Sequence, residues 1–265
     1  MKNLLSIFAL SGLLFLVSCK GKDGEIGPAG ASGTAGQNGL PGPSLKGNVV
    51  GFVSLFDEIG TRYATSDGMT VTVEGSNPEI KATSNADGKY ELKDVPTGTY
   101  NLSFTRTGFG NFKRPSIVHI GGTAPTNLGN NNLWETAKTT VTNIAVEIKG
   151  TSIILSGKAT PVMPAGSSTT IQRRVRFFFG KDDKVSYLNY FDTFNQLLVP
   201  PGGDGTFSFT LTNANISKFK TGDKVFIICY GLSPLENAYT DPATNYVIYS
   251  GVNLAASNVV SAVLQ

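Results

Sequence analysis

Residues 83–110 read TSNADGKYELKDVPTGTYNLSFTRTGFG and decide the fold. Asp87-Gly88 predicts a tight hairpin turn, because glycine accepts the positive φ that such turns require. A second turn is predicted at Pro96-Thr97-Gly98. After each turn, large apolar side chains occupy every second position: Tyr90 and Leu92, then Tyr100, Leu102 and Phe104. This alternation is typical of β-strands that bury one face.

The sequence before this stretch continues the same pattern. GNVVGFVSLF (47–56) alternates along its length, and GMTVTVEGS (68–76) places three apolar residues on one face. From Gly47 to Gly110 the chain resembles the carboxypeptidase regulatory-like domain, a seven-stranded, transthyretin-like sandwich. The resemblance implies an accessory module that supports or binds and has no catalytic residues of its own. Two departures are a segment 57–67 longer than the family's usual first hairpin, and Phe109 where tyrosine is common.

The second half of the chain shows the same pattern of short strands separated by turns. Seven segments of strand character follow one another from VTNIAVEIKG (141–150) to NVVSAVL (258–264). Their number and spacing are typical of a sandwich, and the pattern resembles immunoglobulin and fibronectin type III domains. We therefore predict an all-β protein with two β-sandwich domains in tandem, at 45–135 and 136–265. We expect the glycine and asparagine residues between 121 and 132 to loosen the junction between them.

The N-terminus predicts an exported protein. Residues 4–17 form an almost wholly apolar run of about 14 residues after a short basic start, and a membrane span needs roughly 20. We interpret residues 1–18 as a signal peptide. Leu16-Val17-Ser18-Cys19 resembles the lipobox of bacterial lipoproteins, which implies cleavage before Cys19 and acylation of its thiol. The alternative is an ordinary signal peptide with a chance cysteine.

A collagen-like repeat follows the predicted anchor. Glycine occupies every third position from 21 to 42, which gives eight Gly-x-y triplets with few prolines. In collagen this period lets three chains wind around a crowded axis. We predict that residues 19–44 are instead an extended linker of a monomer, with trimer formation through the repeat as the alternative.

The composition offers little for catalysis. The formal charge is +3, so no basic field for nucleic acid is present. One histidine (His119) and two cysteines cannot supply a metal cage or a familiar triad. We therefore expect no catalytic residues, no metal, no cofactor and no enzyme activity. Cys229 lies in an apolar strand and is interpreted as a buried thiol.

Two surface features are candidates for ligand binding. In QRRVRFFFG (172–180), Val175, Phe177 and Phe179 are predicted to face the core, which leaves Arg174, Arg176 and Phe178 on the outer face. The long connection after residue 186 is rich in aromatic side chains, among them Tyr187, Tyr190 and Phe194. Such rings suit stacking on sugars or on protein partners. The alternatives are contact with the neighbouring domain for the arginine face and core packing for the aromatic residues.

These features together predict a lipid-anchored protein of the bacterial cell envelope. Cys19 would hold it to the membrane, with the outer membrane and its exposed surface as the expected location. The sandwiches would display a site for a glycan or protein ligand on a stalk. The alternatives are a structural subunit of an envelope assembly without a ligand of its own and, more remotely, a glycan-active enzyme.

Overall fold

The computed structural model describes residues 24, 27, 30, 44–163, 172–199, 201–235 and 238–265. Residues 44–265 fall in one compact unit, Pro43–Gln265. The predicted signal peptide, the lipidation site at Cys19 and all of the Gly-x-y segment apart from three glycines lie outside the described residues. No helix within the described ranges is long and apolar enough to cross a membrane.

The first sandwich is built from strands that alternate buried and exposed residues, as the sequence predicts. Its strands are β1 (Lys46–Phe56), β2 (Thr70–Val73), β3 (Lys81–Thr83), β4 (Lys89–Pro96), β5 (Gly98–Thr105), β6 (Phe112–His119) and β7 (Thr126–Trp134). One sheet has the order β4-β1-β7 and the other β3-β2-β5-β6. The inward residues form one apolar core, which includes Val53, Val71, Tyr90, Leu92 and Phe104.

The two turns in the fold-deciding stretch connect the sheets and do not form hairpins. β3 pairs with β2, whereas β4 pairs with β1 and β5 pairs with β2. Gly88 has a φ of +83°, and a Cβ there would lie 1.9 Å from the carbonyl oxygen of Val53. Glycine is thus required at this corner for its φ and for the close approach of β1. The prediction of a tight turn is confirmed, but the prediction that its flanking strands pair is wrong.

The second sandwich also consists of two sheets that enclose an apolar core. Its elements are β8 (Thr140–Lys149), β9 (Ser152–Thr160), β10 (Arg174–Gly180), β11 (Asp192–Leu198), β12 (Thr206–Thr212), a 3-10 turn (Asn213–Ile216), β13 (Lys224–Leu232), β14 (Ala238–Thr240), β15 (Val247–Tyr249) and β16 (Val260–Val263). The sheets β12-β9-β8 and β11-β10-β13-β16 enclose a separate core. Val175, Phe177 and Phe179 face this core as predicted. The fold is therefore all-β, with two β-sandwiches in tandem.

The outer face of the β10–β13 sheet is covered rather than open to solvent. A third apolar cluster lies there and contains Phe178, Tyr190, Tyr230 and Val252, with Tyr249 of the β14-β15 hairpin packed against it. Phe178 is 0% exposed. The prediction of which β10 side chains face the core is thus correct. The outer face of β10 is also buried, because this third apolar cluster covers it.

The asparagine-rich segment before the junction is a strand. Residues 129–132 lie inside β7, which pairs in parallel with β1, and Asn131 is opposite Val53. The Asn131 side chain is buried, donates to the Phe52 carbonyl (3.3 Å) and accepts from Arg114 (3.2 Å). The expectation that this segment loosens the junction is wrong, because its backbone is held by β1 and its amide is held by two partners.

Candidate functional site: a cleft between the two sandwiches

A buried carboxylate joins the two sandwiches. Glu58, in the β1–β2 loop, accepts a hydrogen bond from Arg173 Nη1 (2.9 Å) and another from the backbone N–H of Lys138 (2.6 Å). Arg173 also donates to Thr139 Oγ1 (3.1 Å), and the Ser233 hydroxyl donates to the Glu58 carbonyl (3.0 Å). Charge-assisted bonds of this kind have strict geometry. They fix the orientation of one sandwich against the other.

The two backbones also approach closely beside this pair. A Cβ on Gly110 would lie 1.6 Å from the Ser250 carbonyl oxygen, so no larger residue fits there. The Ala137 N–H donates to the Gly251 carbonyl (2.9 Å). The rings of Phe112 and Tyr239 meet edge to face across the same boundary, with centroids 6.0 Å apart. The boundary is therefore a packed interface.

A cleft of about 280 Å³ opens at this interface. The first sandwich contributes Phe109 and Asn111, and the second contributes Tyr187, Leu188, Tyr239 and Leu254. Leu188 is 51% exposed and Leu254 is 70% exposed. A concave surface with apolar walls and a few polar groups is the usual form of a small-molecule site. This cleft is the candidate functional site.

Two tyrosines set the chemistry of the cleft. Burial raises the pKa of Tyr187, whose ring packs edge-on against Tyr230 at 5.5 Å. Burial, and then the charges of Asp241 and Glu74, raise the pKa of Tyr239 to about 12. Both phenols therefore remain neutral near pH 7. They offer hydroxyl groups and ring edges or faces, not charge.

A more open polar groove of about 690 Å³ lies beside the cleft. Thr70, Thr105, Arg106 and Thr107 line it, and it shares Phe109 and Asn111 with the cleft. The guanidinium carbon of Arg106 lies 5.3 Å from the centroid of the Phe109 ring. The two concavities are thus neighbours, the cleft apolar and aromatic and the groove polar.

Of the three predicted aromatic residues, only Tyr187 lines the cleft. Tyr190 is 6% exposed, its hydroxyl donates to the Val247 carbonyl (2.9 Å), and its ring lies 5.1 Å from that of Phe178. Phe194 is half-buried against the second core, 5.3 Å from the ring of Phe209. Tyr190 is therefore packed within the domain, as the alternative of core packing expects. It also lines a separate cavity of about 180 Å³ together with Tyr246, and ligand binding by Tyr190 and Phe194 stays a prediction.

The two predicted arginines lie away from the cleft. Arg176 is 6% exposed, with its guanidinium carbon 3.7 Å from the centroid of the Tyr249 ring. Arg174 is half-buried opposite Leu232 of β13. Ligand binding by Arg174 remains a prediction. Arg176 is buried under the Tyr249 ring. Its burial favours the alternative to ligand binding, in which the outer face of β10 makes contacts within the protein.

The remaining reactive groups have structural roles. Cys229 is fully buried, and burial raises the pKa of its thiol well above the ordinary value. His119 is 1% exposed, with Nε2 3.0 Å from the Val95 carbonyl and Nδ1 2.8 Å from Thr126 Oγ1. A carbonyl oxygen can only accept, so the Nε2–H of His119 donates to Val95. Within the described ranges, no three His, Cys, Asp or Glu side chains are grouped as a metal site.

The comparison with protein families supports the first sandwich. Residues 62–129 match the model of the carboxypeptidase regulatory-like domain. This match starts within the β1–β2 loop and reaches into β7, and it confirms the resemblance for that part of the chain. A comparison with curated proteins finds no significant match.

A comparison with solved structures finds matches of low identity. A candidate carbohydrate-binding protein of Bacteroides uniformis is 15% identical, with 83% of this chain and 100% of that chain covered and a TM-score of 0.33. A DUF3823 family protein of Parabacteroides merdae is 14% identical, with coverages of 83% and 99% and a TM-score of 0.29. A type II cohesin-X-dockerin complex of Acetivibrio cellulolyticus is 20% identical over 34% of this chain and 58% of that chain, with a TM-score of 0.29.

Proposed function

We propose that this chain is a non-catalytic binding protein of the bacterial cell envelope and that it holds a saccharide in the cleft between its sandwiches. The observation that carries the proposal is the cleft itself, in which aromatic rings and exposed leucines from both sandwiches surround polar groups. Sugar rings present C–H faces that pack on aromatic surfaces and hydroxyls that bond to amides and phenols. Tyr187, Tyr239 and Asn111 provide both kinds of contact.

The dimensions favour a saccharide over a protein partner. The cleft and the groove have volumes of about 280 and 690 Å³, of the order of small-molecule sites at roughly 300–1,000 Å³. A stable protein partner would need a face of about 800 Å² on each side. Neighbouring concavities of this size suit a short oligosaccharide.

The anchor and the linker complete the proposal. Acylation of Cys19 would hold the chain to the outer membrane, and the Gly-x-y segment of the monomer would separate the sandwiches from the lipid surface. The support for the anchor is the lipobox resemblance at Cys19, and the support for the linker is the glycine at every third position from 21 to 42. Both are features of the sequence. In this proposal the binding cleft is displayed on a stalk outside the membrane.

The proposal is tested by glycan-array binding of the fragment Pro43–Gln265, which is one compact unit. Tyr187→Ala and Leu254→Ser should each weaken binding about tenfold or more, in the range found for residues at the centre of a site. Phe52→Ala is the matched control, because Phe52 is 41% exposed on the outer face of β1, away from the cleft. Absence of glycan binding, or equal binding by all three variants, would contradict the proposal.

A further inference from the structure

Arg106 lies in the wall of the polar groove and is half-buried. Its guanidinium carbon lies 5.3 Å from the centroid of the Phe109 ring, a contact that holds the group in place without using its N–H donors. Its Nη1 atom is buried and has no hydrogen-bond partner among the described residues. The groove therefore has a positively charged group at a fixed place in its wall.

The nearby carboxylates have hydrogen-bond or ion-pair partners of their own, although the charge of Arg106 also contributes to the lowered pKa of Asp67. Asp67 accepts from the Thr65 hydroxyl (2.6 Å), and that bond is the main reason why its pKa is lowered. Glu135 faces the Lys138 ammonium at 3.1 Å. Across the cleft, Lys113 lies 2.9 Å from Glu74 and 3.8 Å from Asp241.

Among the described residues, the lining of the groove carries no negative charge. These residues are glycine, threonine, phenylalanine and asparagine besides Arg106, and the described lining of the cleft likewise contains no aspartate or glutamate. Arg106 is thus the one charged side chain in the described lining of the two concavities. Coulomb attraction in a partly desolvated groove favours a ligand with a negative group at this end.

We propose that Arg106 binds the carboxylate of an acidic saccharide, so that the ligand is a uronate-containing oligosaccharide whose neutral part lies in the aromatic cleft. Arginine donates to a carboxylate through two parallel N–H bonds. Thr105, Thr107 and Asn111 beside it are suited to the ring hydroxyls. This inference rests on the proposed function and specifies the chemical class of its ligand.

The arrangement favours a sugar acid over an acidic peptide. A run of acidic side chains would need several cations along its length, and Arg106 is the one cation that the described residues contribute to the lining of either concavity. An oligosaccharide with a single carboxylate at the groove end matches one arginine followed by hydroxyl, amide and aromatic groups. A poly-glutamate peptide therefore serves as the competing ligand in the test.

The test is calorimetric titration of the fragment Pro43–Gln265 with oligogalacturonate, with its fully methyl-esterified form and with poly-glutamate. We expect oligogalacturonate to bind about tenfold or more tightly than the ester, because the ester keeps the sugar and removes the charge. Arg106→Gln should abolish this difference, and Arg106→Lys should restore part of it as a point charge. Lys89→Gln, an exposed charge on β4, is the control for net charge and should bind as the native fragment does.

The outcomes separate this inference from the proposed function. If both sugar forms bind equally and Tyr187→Ala weakens both, the cleft binds saccharides and the role of Arg106 is refuted. If poly-glutamate binds as tightly as oligogalacturonate and depends on Arg106, the ligand is an acidic peptide and the sugar class is refuted. If no saccharide binds at millimolar concentration, both proposals fail.

Discussion

The buried pair between Glu58 and Arg173 should be the most sensitive point of the junction. Their side chains are 7% and 13% exposed, so little solvent screens them. Glu58→Ala would leave the Arg173 guanidinium buried without its carboxylate and the Lys138 N–H without its acceptor. Breaking a buried pair from one side costs about 3–5 kcal/mol of the free energy of unfolding.

The assay is thermal and urea unfolding of the fragment Pro43–Gln265. At about 2–4 °C per kcal/mol for a chain of this size, the melting temperature should fall by roughly 6–20 °C. Glu147→Ala is the matched control. Its pair with Lys149 at 3.2 Å is 59% and 64% exposed, and exposed pairs contribute about 0–1 kcal/mol.

A double variant isolates the cause of the loss. Glu58→Ala with Arg173→Met removes the stranded cation together with its partner, and it should recover a large part of the lost stability. If Glu58→Ala lowers the free energy of unfolding no more than Glu147→Ala does, the pair does not hold the sandwiches together. If the double variant is less stable than Glu58→Ala, the stranded charge is not the source of the cost.

Four further predictions concern three single residues. Tyr190→Ala should lower the free energy of unfolding by about 3–5 kcal/mol, as expected for a buried aromatic ring, and a change below about 1 kcal/mol in urea unfolding would contradict its core role. The Tyr190 pKa is raised from 10.0 to about 12, chiefly by burial. The folded state therefore binds this proton more tightly, so stability should fall as the pH rises from 10 to 12, and less steeply in Tyr190→Phe. Arg176→Met should keep or raise the melting temperature, because it replaces a buried cation that has no carboxylate within salt-bridge distance among the described residues; a large fall would show that stacking on Tyr249 outweighs the charge. Cys19→Ala should abolish labelling by an alkyne fatty acid in cells, and unchanged labelling would refute the lipoprotein interpretation.

The strands and their buried faces could be predicted because a strand's period is local. Tyr90, Leu92 and Phe104 alternate with polar neighbours, and all three face the core. The same reasoning placed Val175 and Phe177 inward on β10. Each of these conclusions needs only the two-residue repeat of a pleated strand.

Most residues of the candidate site could not be predicted from the sequence. Tyr187 was predicted from the density of aromatic residues around it, but Phe109, Tyr239 and Leu254 come from distant parts of the chain that meet only in the folded state. Arg106 carries no local signal, since an arginine after a strand is ordinary. Its significance depends on its position in the groove wall beside Phe109, which is a property of the tertiary surroundings.

The sequence alone determined the all-β class, the alternation of its strands, the tight turn at Asp87-Gly88 and the prediction of a lipid anchor at Cys19. These follow from side-chain period, from the φ that glycine accepts and from a short motif. Only the tertiary structure decided that the turn links two sheets, that the outer face of β10 buries Phe178, and that β7 runs beside β1. The physical reason is that an alternating strand specifies which of its faces is apolar. Which strand it pairs with, and what covers its other face, depend on residues far away in the chain.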